Sequence, residues 1–203
     1  MPTADLDKIA ENDLRKLHAE VNQIVSQRFS LTTASVVAFA TACGWASTAL
    51  KDKPLTPHFI SNIGILILCI LFGLYLYFML LLGKLQLLTI YIAAKYQSPW
   101  ELDWKAYRMT HTYWGYTKAG TFIFQLLGTL SFFFLGFLWL SGRGPQSAFP
   151  HVFWWPLGTF LVYQSLVYGI TRWRDIFFRE ATVTARWNAV IHRDEGAAAT
   201  SGN

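Results

Sequence analysis

The sequence predicts an all-α polytopic membrane protein with four transmembrane helices and cytosolic helical extensions, and three observations carry that expectation. The 203-residue chain is 53% hydrophobic and only 14% charged, an unusual balance for a water-soluble domain of this size. Four windows contain no Asp, Glu, Lys or Arg: Phe29 to Leu50, Pro54 to Gly83, Ala119 to Gly142 and Gly144 to Thr171. Each exceeds the roughly 20 residues that a helix needs to cross the hydrocarbon core at about 1.5 Å per residue. The basic residues are also one-sided. With four spans, all of them except Lys51, Lys53 and Arg143 share one face, and retention of Lys and Arg in the cytoplasm makes that face the inner one. Both termini and the middle loop are therefore expected to be cytoplasmic, the membrane being a bacterial inner (cell) membrane.

The first element is a cytosolic amphipathic helix over residues 1–28. Its apolar residues Ala10, Leu14, Leu17, Val21 and Ile24 recur at spacings of four, three, four and three, which is a single seam along a helix. This mixed-charge start lacks the basic stub and short apolar core of a cleavable leader, so the first span is expected to act as its own anchor.

That first span, about 29–50, is built from Ala, Thr and Ser and is the weakest of the four by hydropathy. Ala34, Ala38, Ala42 and Ala46 lie four apart, and Ala40, Gly44 and Thr48 form a second row. Small rows let helix backbones approach closely in lipid, either within the chain or between subunits. Ser30, Thr33, Thr41, Gly44 and Thr48 share a face. Gathered from several subunits, that face would line a pore, with Thr33, Thr41 and Thr48 as its hydroxyls. In a packed bundle the same hydroxyls would bond to backbone carbonyls.

The second span, about 59–83, meets no proline before Tyr96 and is expected to extend to about residue 96. A helix of roughly 38 residues is near 57 Å long, against a hydrocarbon core of about 30 Å, so it projects into the cytoplasm. Gln97, Ser98 and Pro99 end it, because the residue before a proline disfavours the helical region. In the cytosolic segment 97–118, Trp100, Trp104, Tyr107, His111 and Trp114 repeat at helical spacing among Lys105, Arg108 and Lys118. This pattern suits the headgroup boundary or a cytosolic run-in to the third span.

The third span is placed at about 119–140 and ends in the turn sequence Ser141-Gly-Arg-Gly-Pro145. The fourth, about 152–171, is expected to start near His151 with Pro156 in its first turn, where proline costs little. Beyond it a cytosolic helix is expected over residues 172–195, followed by a disordered tail over 196–203. Arg172, Arg179, Arg186 and Arg193 stand seven apart. Seven residues make nearly two turns, so these guanidinium groups form one slowly drifting stripe. Arginine matches phosphate and carboxylate well, so the stripe is the candidate site for a partner or for lipid. The competing reading is a solvated face in which Asp175 and Arg179 form an exposed i, i+4 pair.

Catalytic chemistry is scarce. The five histidines, His18, His58, His111, His151 and His192, are scattered singly, and no His-x-x-x-His or Cys-x-x-Cys is present. Neither a metal nor a cofactor is expected. Cys43 and Cys69 fall inside spans and read as packing groups. No acidic or basic side chain lies in mid-span, which disfavours ion-coupled transport. The net charge of +5 follows from the inward bias of the basic residues and points to anionic lipid rather than nucleic acid.

The function expected from these features is that of a non-enzymatic, oligomeric membrane subunit that anchors or signals to a soluble cytosolic protein through its cytosolic helices. The layout looks like that of small four-span subunits encoded beside soluble effectors in bacterial membrane-associated systems, antiviral ones included. An oligomeric pore lined by the first span is the alternative. An interfacial lipid-modifying enzyme using His111 with Glu101 or Asp103 is the third reading.

Overall fold

A computed structural model describes residues 3–49, 57–96, 116–138, 149–177 and 180–200 of the chain. These residues form five helices and no strand: α1 (Thr3–Ala49), α2 (Pro57–Tyr96), α3 (Tyr116–Leu138), α4 (Phe149–Phe177) and α5 (Glu180–Thr200). Among the described residues three helical stretches are long and apolar enough to cross a membrane: Ala10–Thr48, Ile60–Tyr96 and Lys118–Leu138. Helix α4 is not among them. It carries Trp154, Trp155, Tyr163, Gln164 and Tyr168 where α2 carries Leu and Ile, and aromatic residues with polar tips favour the membrane boundary over its centre.

The start of α4 differs from the expectation. The helix begins at Phe149, so Pro156 lies inside it and Pro150 takes the first turn. A proline there loses nothing, because the first N–H groups of a helix have no intrahelical partner. At its far end the described helices are α4, to Phe177, and α5, from Glu180, and the two residues between them lie outside the described residues. Helix α5 then runs to Thr200, into the segment expected as a tail, through the strong helix formers Ala197, Ala198 and Ala199.

The chain divides into two compact units. One comprises Phe29–Met79 and Gly115–Arg172, the other Met1–Arg28, Leu80–Trp114 and Trp173–Asn203.

In the first unit α2, α3 and α4 share an aromatic core. Tyr75 and Phe78 of α2 each meet Phe124 of α3 with ring centroids 5.6 Å apart, and Phe72 meets Tyr163 of α4 edge-on at 6.4 Å. Several polar groups inside this core are satisfied across helices. The Tyr75 hydroxyl donates to the Val167 carbonyl at 3.0 Å and pairs with Thr171 Oγ1 at 2.7 Å. Tyr163 donates to the Phe124 carbonyl at 2.8 Å, and Gln164 Nε2 reaches both the Gln125 carbonyl and Thr129 Oγ1 at 3.2 Å. Where water is excluded, a lone hydroxyl or amide would be costly, so such bonds fix which helix faces meet. Helix α1 joins through Ala46, which packs with Ile60 and Leu135.

The outside of this unit is as apolar as its inside. On α3 the residues Phe122, Leu126, Leu130, Phe133 and Phe137 are all exposed and recur at helical spacing, and Leu66, Ile70, Trp154, Trp155, Leu161 and Val162 are exposed as well. A surface of this kind suits hydrocarbon and would be an aggregation hazard in water.

The second unit gathers three stretches distant in sequence. Glu20 of α1 holds Lys84 of α2 at 2.7 Å, and Asp13 lies within Coulomb range of Lys95. The two pairs run in opposite order along α1 and α2, as antiparallel neighbours require. Tyr91 of α2 meets Trp187 of α5 with centroids 4.7 Å apart. Ile24, Leu81, Leu82, Ile90, Ile92 and Val183 are buried in this unit.

Candidate functional site

Helix α1 shows how a local pattern positions side chains. Its seam of enclosed or half-enclosed residues runs Leu14, Leu17, Val21, Ile24, Arg28, Leu31, Ser35, Phe39, Ala42 and Ala46, at steps of three or four. The apolar spacing read from its first turns therefore continues along the helix. Two seam members are polar. Ser35 is satisfied internally, donating to the Leu31 carbonyl at 2.7 Å. Arg28 is a cation at a position that its neighbours fill with apolar groups, and it is only 7% exposed.

Of the residues singled out for close packing, Ala46 is buried and Ala42 partly so, while Ala34, Ala38 and Gly44 are exposed. A Cβ added at Gly44 would meet no atom, so among the described residues no other helix approaches it closely. Thr33, Thr41 and Thr48 are all exposed on the side away from the seam. Thr48 bonds back to the Gly44 and Trp45 carbonyls at 3.0 Å, the self-satisfaction open to a hydroxyl on any helix. Far less of α1 is enclosed than of α2 or α3.

Three members of the arginine stripe lie among the described residues. Arg172 is exposed on α4, Arg186 is exposed on α5, and Arg193 lies on α5, whereas Arg179 lies outside the described residues. The aromatic segment Trp100 to Trp114, with His111, Glu101 and Asp103, also lies outside them. Among the described residues no group of His, Cys, Asp or Glu side chains gathers to hold a metal ion.

The structure brings together a different pair. Arg174 continues the inward row of α4 after Tyr163, Val167 and Thr171 and is half-enclosed. It stands close enough to Arg28 for the two positive charges to repel. Three guanidinium nitrogens, Nε of Arg28 with Nε and Nη1 of Arg174, are shut off from solvent and make no hydrogen bond, although both side chains also interact elsewhere in the chain. Arg28 flanks a charge-free window, since Phe29 follows it, whereas Arg174 lies three residues beyond Thr171, where the last window closes. Periodicity in the sequence selects Arg172, because it starts the seven-residue repeat, and passes over both members of this pair. The signal that finds them is register. Arg28 falls four residues after Ile24 on an apolar seam, and Arg174 falls three after Thr171.

The helices and their apolar exterior suit an integral membrane protein. Comparison with protein-family models, with curated proteins and with solved structures finds no match to this chain.

Proposed function

We propose that the chain is a four-span, non-enzymatic membrane subunit that works as an oligomer and docks or signals to a soluble protein through a cytosolic platform. The observation that carries this reading is the gathering of residues 1–28, 80–114 and 173–203 into one compact unit. These are the stretches that hold nearly all the inward-biased basic residues. A compact unit of this kind suits the receipt of a partner better than a flexible tail would. In this reading α4 is the fourth span, with its tryptophans at the outer boundary, and both termini are cytoplasmic. Arg172, Arg179, Arg186 and Arg193 offer cations to an acidic partner or to lipid headgroups.

Affinity capture in mild detergent tests the role, comparing the wild type with Arg179→Glu/Arg186→Glu. Loss of a stoichiometric soluble partner in the variant is the expected result; undiminished capture and membrane association would refute the platform. Cysteines placed at Thr3, Gln97 and Gln146 test the topology. Only Gln146→Cys should react with a membrane-impermeant reagent from outside.

The exposed hydroxyl face of α1, with Thr33, Thr41 and Thr48, favours a second reading, an oligomeric pore. Reconstituted protein that carries ionic current, reduced by Thr41→Leu, would support the pore; silence under every applied potential would count against it.

A further inference from the structure

We propose that a second copy of the chain docks where α3 and α4 meet, with the Gln125 side-chain amides of the two copies bonded to each other across a two-fold axis. This interface would belong to the oligomer proposed above, and it rests on that reading and on the membrane placement. Three observations lead to it. Gln125 stands seven residues beyond Lys118 on α3, about 10 Å along the helix, which puts its amide well inside a hydrocarbon core of about 30 Å. That amide makes no hydrogen bond among the described residues, and it is not shut off inside the bundle either, the residue being half-buried. Gln164 of α4, at the same depth, behaves differently: its Nε2 turns to the Gln125 carbonyl and to Thr129 Oγ1, both at 3.2 Å. Gln164 therefore ties α4 to α3, while the Gln125 side chain is left at the edge of the same seam with its donor and its acceptor unused.

The occupant follows from the chemistry of the group. An unpaired carboxamide is costly in hydrocarbon, and acyl chains offer it neither donor nor acceptor. It carries an N–H donor and a carbonyl acceptor on one group, so its complement is a second carboxamide in reversed orientation. A two-fold axis supplies that partner with no further residue, because an isologous interface sets each patch against itself. Interhelical bonds of this kind hold helices together in bilayers. The surroundings suit a close contact. Phe122 and Leu126 near Gln125, and Leu161 and Tyr168 a turn to either side of Gln164, are all exposed, so the same docking brings apolar surface round the amide pair.

Full-length protein in phosphatidylcholine vesicles tests the interface, with Thr3→Cys carrying donor or acceptor dyes in a Cys43→Ala/Cys69→Ala background. Energy transfer should rise with protein density as dimers form, and Gln125→Leu should raise the apparent dissociation constant roughly tenfold, the worth of two such bonds. Asn62→Leu, which removes an amide from an exposed position of α2, should leave it unchanged. In the same background, without the dye position, Gln125→Cys should oxidise to a dimer of twice the chain mass. Leu130→Cys should not, since Leu130 is exposed but lies roughly 140° round α3 from Gln125. This cysteine pair decides the matter if Gln125→Leu does not fold. A wild type that stays monomeric at every density would overturn both the interface and the oligomer. An oligomer indifferent to Gln125→Leu, with no Gln125→Cys dimer, would overturn the interface alone. So would native mass spectrometry of a monomer carrying a lipid, or a different protein, that Gln125→Leu loses, because that occupant and not a second copy would hold the amide. Labelling of Gln97→Cys and Gln146→Cys reports the topology separately, so failure of the interface is separable from failure of the membrane placement.

Discussion

Adding one methyl group at Gly128 should destabilise the helix bundle, whereas the same change at Gly136, two turns along the same helix, should not. A Cβ at Gly128 would run into the Tyr163 ring, with Cδ1 at 2.9 Å and Cε1 closer still. Tyr163 cannot easily yield: it is 3% exposed, its hydroxyl donates to the Phe124 carbonyl, and its edge rests on Phe72. Overpacking of this kind costs about 1–3 kcal/mol, and displacing the ring far enough to break its hydrogen bond adds about 0.6 kcal/mol in a membrane setting. The gain in helix propensity from glycine to alanine offsets at most about 1 kcal/mol. The net expectation for Gly128→Ala is thus a loss of roughly 1–2.5 kcal/mol. At Gly136 an added Cβ meets nothing, so only the propensity term remains and Gly136→Ala should be neutral or slightly stabilising. The assay is reversible unfolding of reconstituted protein by sodium dodecyl sulfate, followed by tryptophan fluorescence. Equal effects of the two substitutions would refute the close approach of α3 and α4 at Gly128.

Further outcomes follow from the same geometry and can be measured by the same titration. Tyr75→Phe removes the bonds to Val167 and Thr171 while keeping the ring against Phe124. Thr171 retains its own bond to the Val167 carbonyl at 2.8 Å, so the loss should be about 0.5–1.5 kcal/mol and not the 3–5 expected of Tyr75→Ala. In the second unit, a double-mutant cycle on Tyr91→Ala and Trp187→Ala should give a coupling of about 0.5–1.5 kcal/mol; a coupling of zero would show that α2 and α5 do not meet there. The Glu20–Lys84 pair is substantially exposed, so Lys84→Met should change stability by less than about 1 kcal/mol, and the change should shrink as salt is raised.

The elements differ in how far the sequence alone reaches them. Helix α2 is legible because nothing between Phe59 and Tyr96 interrupts a helix, and because Leu and Ile dominate its first half. Helix α4 is less so. Its apolar surface is aromatic, and its first turn belongs to Pro150, a residue inside an apolar window that hydropathy alone passes over. The candidate site was hardly legible. A seven-residue arginine repeat stands out in a string of letters, yet Arg172 and Arg186 are both exposed. Arg28 and Arg174 carry no repeat, and what distinguishes them is the seam each one falls on.

By itself, the sequence determined the all-helical class and the apolar stretches suited to a membrane, because charge-free length and helical period are local properties of the chain. Tertiary structure alone decided which faces meet: that Gly128 admits Tyr163, that Glu20 finds Lys84, and that Tyr91 meets Trp187. The contacts among these depend on the rotation and register of helices whose residues lie dozens of positions apart, and periodicity along one helix says which side is inward without saying what lies opposite.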